Sequence, residues 1–410
     1  MFKKTFRPSR PSGRFGGQKK HFRASKKSGF CATGNFRFQR GRKFIDPNKF
    51  IKKIIVGKEE KVFQPKNSFA DFEIHEKLKA NIVRQGYERP TPIQDQAIGH
   101  ILVGRDLIGL ANTGTGKTAA FLIPLIHKIF KNRQSRALVI TPTRDLASQI
   151  DQELEKFSRG SGLFSAVCIG GANFGRQIKD LSCQPHFVIG TPGRLKDLVQ
   201  RKSLDLSVFD HVVLDEVDRM LDMGFIQEVR WLMGFFPKKR QSLFFSATMP
   251  PEIMRLAGEF NNNPVRVEAQ TSVTSENVEQ DVVRIAAGKE KIEILHELLI
   301  QADFQKVLVF GRTKWGVQKL SEKLAERGFR ADSIHGNHPQ ARRERALRKF
   351  KAGQINVLVA TDVAARGLDI PNVTHVINYD TPENYEDYIH RIGRTGRGNS
   401  LGKALTFVES

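Results

Sequence analysis

The sequence contains a series of short, continuously apolar runs separated by segments of helical character. Five of these runs occupy residues 106–111, 137–143, 186–192, 211–216 and 242–248, and four more occupy residues 306–313, 355–362, 375–380 and 403–408. A strand that is apolar on both faces has to be covered on both faces, which happens in parallel sheets flanked by helices. The pattern therefore predicts an α/β fold built on parallel sheets.

The two series of runs indicate two lobes in tandem. They are separated by residues 271–280, a polar stretch without apolar periodicity, within a chain of 410 residues that is long enough for two or three domains. We predict a disordered, basic tail rich in Phe, Gly and Arg over residues 1–66, a first lobe over 67–270, a linker over 271–280 and a second lobe over 281–410. Ligands of such sheets collect at the carboxyl ends of the strands.

The N-terminal segment differs in composition from the rest of the chain. Residues 1–50 hold fifteen Lys and Arg, one acid and nine Phe, out of a net charge of +24 for the whole chain. A segment with so few aliphatic residues cannot offset the entropy of ordering its backbone, so we predict that it is disordered. Interleaved cations and rings favour binding to single-stranded nucleic acid, while a solubilising tail or an organelle transit peptide remains an alternative.

Several classes of protein are disfavoured by composition. No apolar run is long enough for a membrane helix, and the N-terminus has no apolar signal core. The three cysteines are scattered without metal-ligand spacing, which argues against a zinc site and favours a reducing, cytoplasmic location.

A Gly-rich turn follows the apolar run at 106–111 and precedes a helical segment. Gly114 and Gly116 allow backbone amides to surround phosphate oxygens, Lys117 can reach the terminal phosphates, and Thr118 can bind Mg²⁺. The strict phosphate-loop pattern fails only at its first position, which is Ala111. We therefore predict a nucleotide triphosphate site, with a fortuitous Gly-rich turn as the alternative.

Three carboxylates stand at the end of the run at 211–216. A phosphate-loop enzyme needs a carboxylate at a nearby strand end to hold Mg²⁺, and Asp215 fits that role, directly or through a water. Glu216 would orient and deprotonate the attacking water. Taken alone, such acids are more often a solvated helix start, but the phosphate loop favours the site. Val217, between the acids, is expected to point into the core.

These motifs together resemble the DEAD-box family of ATP-dependent RNA helicases over residues 67–410. The loop "ANTGTGKT" with a leading Ala is the form found in that family, and Asp-Glu-Val-Asp stands where the family name has Asp-Glu-Ala-Asp. The resemblance implies two RecA-like lobes, ATP and Mg²⁺ as cofactors, and RNA as the partner. It also implies an adenine-reading motif over residues 67–95, in which Gln94 bonds the adenine edge and Phe69 packs against the ring.

The resemblance further implies a nucleotide site divided between the lobes. The first lobe would contribute the loop, and the second lobe would contribute Gly367 and Asp369 as nucleotide contacts and Arg394 and Arg397 as catalytic arginines, beside Lys117, Asp215 and Glu216. His390 would link the lobes near the nucleotide. The remaining loop positions expected to bind the cofactor are Ala111, Asn112, Thr113, Gly114, Thr115, Gly116 and Thr118.

Further family motifs imply RNA contacts and a coupling element. Asp218 is expected to bond Ser246 and Thr248 and so to connect hydrolysis with RNA remodelling. The implied RNA contacts are Arg144, Gly171, Thr191, Arg194, Arg343 and Thr361. Asp145 replaces the Glu that is usual in the family, without a change of charge.

The resulting hypothesis is an ATP-dependent RNA helicase that separates short duplexes locally and remodels RNA–protein complexes. We expect a monomer that binds RNA mainly through its sugar-phosphate backbone, with ribonucleoprotein or ribosome-assembly partners and no membrane. Two alternatives stay open. One is a DNA-directed helicase or translocase of the same superfamily, and the other is a non-catalytic RNA-binding or annealing protein.

Overall fold

The computed structural model describes residues 46–53, 63–112, 114–269, 277–286, 288–365, 370–396 and 401–409. They lie in one unit spanning Lys43–Ser410 and form two α/β lobes, each with a parallel sheet covered by helices. The predicted fold class is thereby confirmed. In the part of the chain that is described, no helix is both long and apolar enough to span a bilayer.

The first lobe has a seven-stranded sheet in the order β3-β4-β2-β5-β6-β1-β7, with every pair parallel. Its strands are β1 Leu107–Leu110, β2 Ala137–Ile140, β3 Ser165–Cys168, β4 Phe187–Gly190, β5 His211–Asp215, β6 Gln241–Ser246 and β7 Val265–Glu268. Its helices are α1 Glu76–Arg84, α2 Pro92–Leu102, α3 Lys117–Lys131, α4 Arg144–Phe157, α5 Phe174–Ser182, α6 Pro192–Gln200, α7 Val217–Asp222, α8 Ile226–Met233 and α9 Pro251–Phe260, with a 3-10 turn at Leu206–Val208.

The second lobe has a six-stranded parallel sheet in the order β10-β11-β9-β12-β13-β8. Its strands are β8 Val278–Ile285, β9 Val307–Phe310, β10 Ala331–Ile334, β11 Val357–Ala360, β12 His375–Asn378 and β13 Gly402–Glu409. Its helices are α10 Lys291–Leu299, α11 Lys314–Glu326, α12 Gln340–Lys351, α13 Asp362–Ala365 and α14 Tyr385–Ile392.

Each sheet has a hydrophobic cluster on both of its faces. In the first lobe one cluster includes Ile123 and Phe245, and the other includes Leu214 and Phe244. Because neighbouring residues of a strand point to opposite faces, the adjacent Phe244 and Phe245 enter different clusters. This covering on both sides explains why the central strands read as continuous apolar runs.

The linker prediction requires a correction at its C-terminal end. Residues 270–276 lie outside the described residues, but β8 begins at Val278, inside the predicted linker 271–280. Val278 is fully buried and Gln280 nearly so. The sequence there looks polar because β8 is an edge strand, in which Glu279 is partly exposed and the buried Gln280 side chain accepts a hydrogen bond from the Tyr388 hydroxyl.

The predicted disorder of residues 1–66 also requires a correction. Residues 1–45 and 54–62 lie outside the described residues, but Pro47–Phe50 forms a 3-10 turn on the second lobe. The Phe50 ring is fully buried, 4.6 Å between centroids from Tyr388 of α14. Lys52 pairs antiparallel with the free edge of β8 through two hydrogen bonds with Gln280, of 2.9 and 2.8 Å. A composition averaged over fifty residues hides this short apolar anchor.

Replacing Phe50 with Ala is expected to lower the free energy of unfolding of the second lobe. A buried Phe-to-Ala change costs about 3–5 kcal/mol, and the loss here is limited by the docking energy of the segment. Urea unfolding and hydrogen exchange of the Gln280 amide would measure it. Ile51→Ala is the matched control because Ile51 is 43% exposed. Equal effects of the two substitutions would contradict the anchoring role of Phe50.

Candidate functional site

The Gly-rich loop connects β1 to the start of α3, as the sequence predicts. Gly114 and Gly116 have φ angles of 84° and 90°, in the left-handed region that favours glycine. Ala111 is fully buried, and its amide donates to the Ser246 carbonyl at 3.0 Å. The Thr115 hydroxyl donates to the Asn112 carbonyl at 2.7 Å. The loop is therefore hydrogen-bonded to the sheet at its first residue, and among its described residues Gly114 and Gly116 adopt positive φ angles.

Lys117 is the first residue of α3 and is only 6% exposed. Its Nζ has no hydrogen-bond partner among the described residues. Leaving the donors of a buried ammonium without hydrogen bonds is costly, so this geometry fits an anionic ligand such as a phosphate. Thr118 follows on the same helical turn and is half-buried.

Asp215 ends β5 and is 2% exposed. Burial raises the pKa of Asp215 to about 7, the charge of Lys117 opposes this rise, and the charge of Glu216 adds to it. A nearby dication would favour the ionised carboxylate. No cluster of three or more metal-ligating side chains occurs in the described ranges. Mg²⁺ commonly binds through one or two carboxylates together with phosphate oxygens, and Asp215 with Thr118 fits that pattern.

Glu216 lies at the turn between β5 and α7 with a φ of 54°, which is uncommon for a residue other than glycine. Burial raises the pKa of Glu216, but the charges of Arg219, Lys117 and Arg394 outweigh it, so the pKa is lowered overall. Arg219, one helical turn further on, forms a buried ion pair with Glu216. Glu216 is therefore an ionised carboxylate in a strained and fixed position, a common feature of functional sites.

Asp218 hydrogen-bonds to the end of β6 and to the two residues after it, where Ser246 and Thr248 were its expected partners. Asp218 accepts hydrogen bonds from the amides of Ala247 and Thr248 at 2.9 and 3.0 Å, and its own amide donates to the Ser246 hydroxyl at 3.2 Å. The Thr248 hydroxyl is further away, at 3.5 Å. The structure thus brings these residues together mainly through backbone amides. Val217 is fully buried, which confirms the expectation that it points into the core.

The residues expected to read adenine are both buried. Gln94 Nε2 donates to the Gly116 carbonyl at 3.1 Å, and Gln94 Oε1 accepts from the Thr91 amide at 3.0 Å. This leaves one amide hydrogen and one lone pair of Gln94 for a further partner. Phe69 is 6% exposed and packs edge-on against Tyr87. The structure connects Gln94 to the loop and places Phe69 in the core of the first lobe.

The second lobe contributes an arginine to the same site. Arg394 is 3% exposed, its Nε donates to the His390 carbonyl at 3.3 Å, and its charge acts on Glu216 of the first lobe. His390 is half-buried on α14. The other predicted contacts Thr113, Gly367, Asp369 and Arg397 lie outside the described residues.

A cavity of about 410 Å³ lies between the lobes and contains most of the predicted RNA contacts. The lining residues among those predictions are Arg144, Thr191, Arg194 and Arg343. Thr361 lines a neighbouring pocket that also includes Val363. Arg194 is held by the Gln177 side chain at 3.0 Å. The cavity is therefore rimmed by cations from both lobes, which suits a polyanion.

Gly171 leaves the space that the guanidinium of Arg144 occupies. It has a φ of 75°, and a Cβ at this position would overlap the guanidinium of Arg144. Burial and the charge of Arg343 lower the pKa of Arg144. The charge of Asp145 opposes this lowering and that of Arg194 adds to it, so Arg144 lies among more cations than acids, which favours an anionic ligand.

Comparisons with protein families agree with this geometry. A family model described as DEAD/DEAH box helicase matches residues 91–256, and one described as helicase conserved C-terminal domain matches residues 290–399. The chain belongs to the DEAD-box helicase family. It is 48% identical to the ATP-dependent RNA helicase CshA of Listeria monocytogenes over 83% of this chain and 66% of that protein. It is 47% identical to CshA of Bacillus licheniformis over 83% of this chain and 70% of that protein. The chain thus spans about two thirds of the length of these relatives.

Solved structures of the family also resemble this DEAD-box protein. Saccharomyces cerevisiae Dbp5 bound to RNA and ADP BeF3 is 30% identical, covers 84% of this chain and 90% of that chain, and gives a TM-score of 0.75. Mss116p bound to ssRNA and AMP-PNP is 29% identical, with 82% and 73% covered and a TM-score of 0.74. A Methanococcus jannaschii DEAD box protein is 38% identical, with 83% and 93% covered, but its TM-score is 0.50.

A buried ion pair joins the two lobes of this DEAD-box protein. Arg343 of α12 pairs with Asp145 of α4, and Gln340 Nε2 donates to Asp145 at 3.2 Å. Burial raises the pKa of Asp145, and the charge of Arg343 opposes that rise. Arg343 was predicted to contact RNA. It lines the cavity, but its guanidinium is engaged by a carboxylate of the other lobe, so an RNA contact would have to share it.

Sequence reasoning missed the interactions of three of these residues. Arg219 stands three positions after Glu216, the spacing of a helical ion pair, and this signal was available. Asp145 and Gln340 could not have been paired from the sequence because 195 positions separate them.

Breaking the ion pair between the lobes is expected to weaken lobe closure. Removing one partner leaves the other charge buried and unpaired, so Asp145→Ala should reduce RNA affinity in the presence of an ATP analogue by about 5- to 150-fold. A double-mutant cycle with Arg343→Ala should give a coupling energy above about 0.5 kcal/mol. Additive effects would contradict a direct interaction. Arg345→Ala, an exposed arginine of the same helix, is the control.

Proposed function

We propose that this chain is an ATP-dependent RNA helicase that separates short duplexes locally. The observation that supports this most strongly is the combination, across one cleft, of Lys117, Asp215 and Glu216 from the first lobe with Arg394 from the second. A cavity rimmed by cations lies between the same two lobes. The relatives named ATP-dependent RNA helicase CshA support the same proposal.

In this proposal ATP binds with its phosphates on the Gly-rich loop. The buried ammonium of Lys117 neutralises phosphate charge, and Gln94 and Phe69 recognise adenine. Asp215 and Thr118 would hold Mg²⁺, which supplies charge neutralisation on the phosphate oxygens. Glu216, ionised and fixed by Arg219, orients the attacking water and accepts its proton as the water oxygen bonds to the γ-phosphorus and the bond to ADP breaks.

Lobe closure connects this reaction to RNA. Arg394 can stabilise charge on the transferring phosphoryl group only when the second lobe is in place, so ATP favours the closed arrangement. Closure also brings the cations of both lobes around the cavity. Contacts with phosphates and sugars carry no sequence information, so the core should bind many RNA sequences. Asp218, through the strand that ends at Ser246, would transmit hydrolysis to this surface.

The basic tail is proposed to hold RNA while the lobes are open. Deleting residues 1–45 keeps the Phe50 anchor and removes most of the tail charge. Weaker RNA binding is expected, with a salt dependence shallower by about 0.7 in log–log slope for each lost phosphate contact. ATP hydrolysis at saturating RNA should be retained. A salt titration that superimposes on that of the full chain would contradict the proposal.

Duplex separation and ATP hydrolysis with matched nucleic acids test the proposed function. RNA should stimulate ATP hydrolysis more than DNA of the same sequence, and a short RNA duplex should separate only with ATP. Stimulation by DNA alone would favour a DNA translocase, and RNA binding without hydrolysis would favour a non-catalytic protein.

We further propose a cytoplasmic location for the protein. The described cysteines Cys168 and Cys183 form no disulfide, which favours a reducing compartment.

A further inference from the structure

Trp315 is the most exposed aromatic side chain among the described residues. It is 80% exposed at the start of α11, compared with 47% for Phe235 and 46% for Tyr385. Single exposed apolar residues are normal on protein surfaces, so exposure alone has no functional meaning. The surroundings of the ring are what distinguish this position.

Cations flank Trp315 in the sequence, and one of them, Arg312, also donates to the Thr381 carbonyl at 3.4 Å in a pocket lined by Asp362 and Glu383. Arg312 and Lys314 precede Trp315 and are exposed, and Lys319 lies four residues later on the same exposed face of α11. The first turn of α11 contains no acid, and the Glu322 side chain accepts a hydrogen bond from Gln318. We call Arg312, Lys314, Trp315 and Lys319 the α11 patch.

The α11 patch is continuous with the cleft between the lobes. The side chain of Lys314 lies over Gly336, with its Cε 3.4 Å from the place that a Cβ would occupy there, and Gly336 lines the cleft cavity. Burial, and then the charges of His338, Arg342 and Lys314, lower the pKa of the neighbouring His335 to about 4. Lys314 and Arg342 therefore both place positive charge near His335 at this rim.

We propose that Trp315 is a base-stacking site for single-stranded RNA at the edge of the cleft. A strand whose phosphates bind Lys314 and the cleft cations would place its next base over the indole ring. This extends the proposed RNA helicase function and rests on it. It adds a contact with a base to a core whose other predicted contacts are with the backbone.

The chemistry of the patch favours RNA over a protein partner. A protein partner with an apolar surface would need other exposed apolar side chains beside the ring. Val317 and Leu320 of the same helix are buried and cannot supply them. Bases stack on an aromatic ring whatever their sequence, and the flanking cations bind the phosphates on either side of the stacked base. Stacking also suits a protein without sequence preference.

Tryptophan fluorescence tests this proposal directly because the chain has only two tryptophans. In a Trp231→Phe variant the emission comes from Trp315 alone. Trp231 is half-buried in the first lobe, 4.5 Å from the Phe235 ring, and outside the cleft. Oligo(U) added with a non-hydrolysable ATP analogue should quench the Trp315 emission saturably, at the same midpoint as RNA binding followed by anisotropy. An abasic oligonucleotide of equal length should bind without this quenching.

Substitutions of Trp315 provide the second measurement. Trp315→Leu should weaken oligo(U) binding by about 5- to 150-fold and leave affinity for the abasic oligonucleotide unchanged, while Trp315→Tyr should retain most of the affinity. RNA binding by anisotropy with unchanged Trp315 emission would overturn the stacking site and leave the proposed function intact. Absence of RNA binding in the same samples would overturn both. Equal losses for oligo(U) and abasic strands would overturn stacking in favour of a general contact.

Discussion

Replacing Arg394 with Ala is expected to reduce RNA-stimulated ATP hydrolysis by about 10³- to 10⁵-fold, the range found for an arginine that stabilises a transferring phosphoryl group. The physical reason is its position. Arg394 is buried in the second lobe, and its charge reaches Glu216 of the first lobe. ATP affinity in the open state should change little, because that affinity depends on the loop of the first lobe.

Single-turnover hydrolysis at saturating ATP and RNA would measure this effect without a contribution from product release. Arg394→Lys keeps the charge but loses the planar fork of donors, so it should recover only part of the rate. Hydrolysis within tenfold of wild type in Arg394→Ala would mean that this arginine only supports the fold of the second lobe. A stability measurement on the same variant separates the two explanations.

Replacing Glu216 with Gln is expected to reduce hydrolysis by about 10²- to 10⁴-fold while ATP and RNA binding are kept. The amide has nearly the same shape as the carboxylate, but it cannot accept the proton of the attacking water. Arg219 also loses its charged partner, so the turn between β5 and α7 should become less stable.

Binding of a fluorescent ATP together with labelled RNA would show whether the Glu216→Gln complex accumulates. Asp222→Asn is the matched control, since it removes one carboxylate from the exposed end of the same helix. Turnover at the wild-type rate in Glu216→Gln would contradict the assignment of this residue to the attacking water. A loss of ATP binding would instead assign it to nucleotide affinity.

The central strands could be predicted from the sequence, and the edge strands could not. The apolar runs mark β1, β2, β4, β5 and β6 in the first lobe and β9, β11, β12 and β13 in the second. The four strands without such a run, β3, β7, β8 and β10, are the four sheet edges. An edge strand is partly exposed, as in β7, where only Val267 is buried, so its sequence is not continuously apolar.

The candidate site likewise contains residues that the local sequence predicts and residues that it does not. Lys117, Asp215 and Glu216 follow directly from local spacing at strand ends, because such motifs fix their own geometry. The pairing of Asp145 with Arg343 and the docking of Phe50 on Tyr388 depend on packing between distant parts of the chain. The aliphatic residues that follow Phe50, such as Ile51, set it apart from most Phe residues of the predicted tail, but they do not indicate that it docks on the second lobe.

ATP and RNA are expected to bind cooperatively because both favour the same closed arrangement of the lobes. The most direct test is the affinity for a single-stranded RNA measured with and without a non-hydrolysable ATP analogue at fixed salt. The proposed mechanism predicts that the analogue tightens RNA binding by about 5- to 150-fold, and that RNA tightens analogue binding by the same factor. Equal RNA affinity in the two conditions would contradict it.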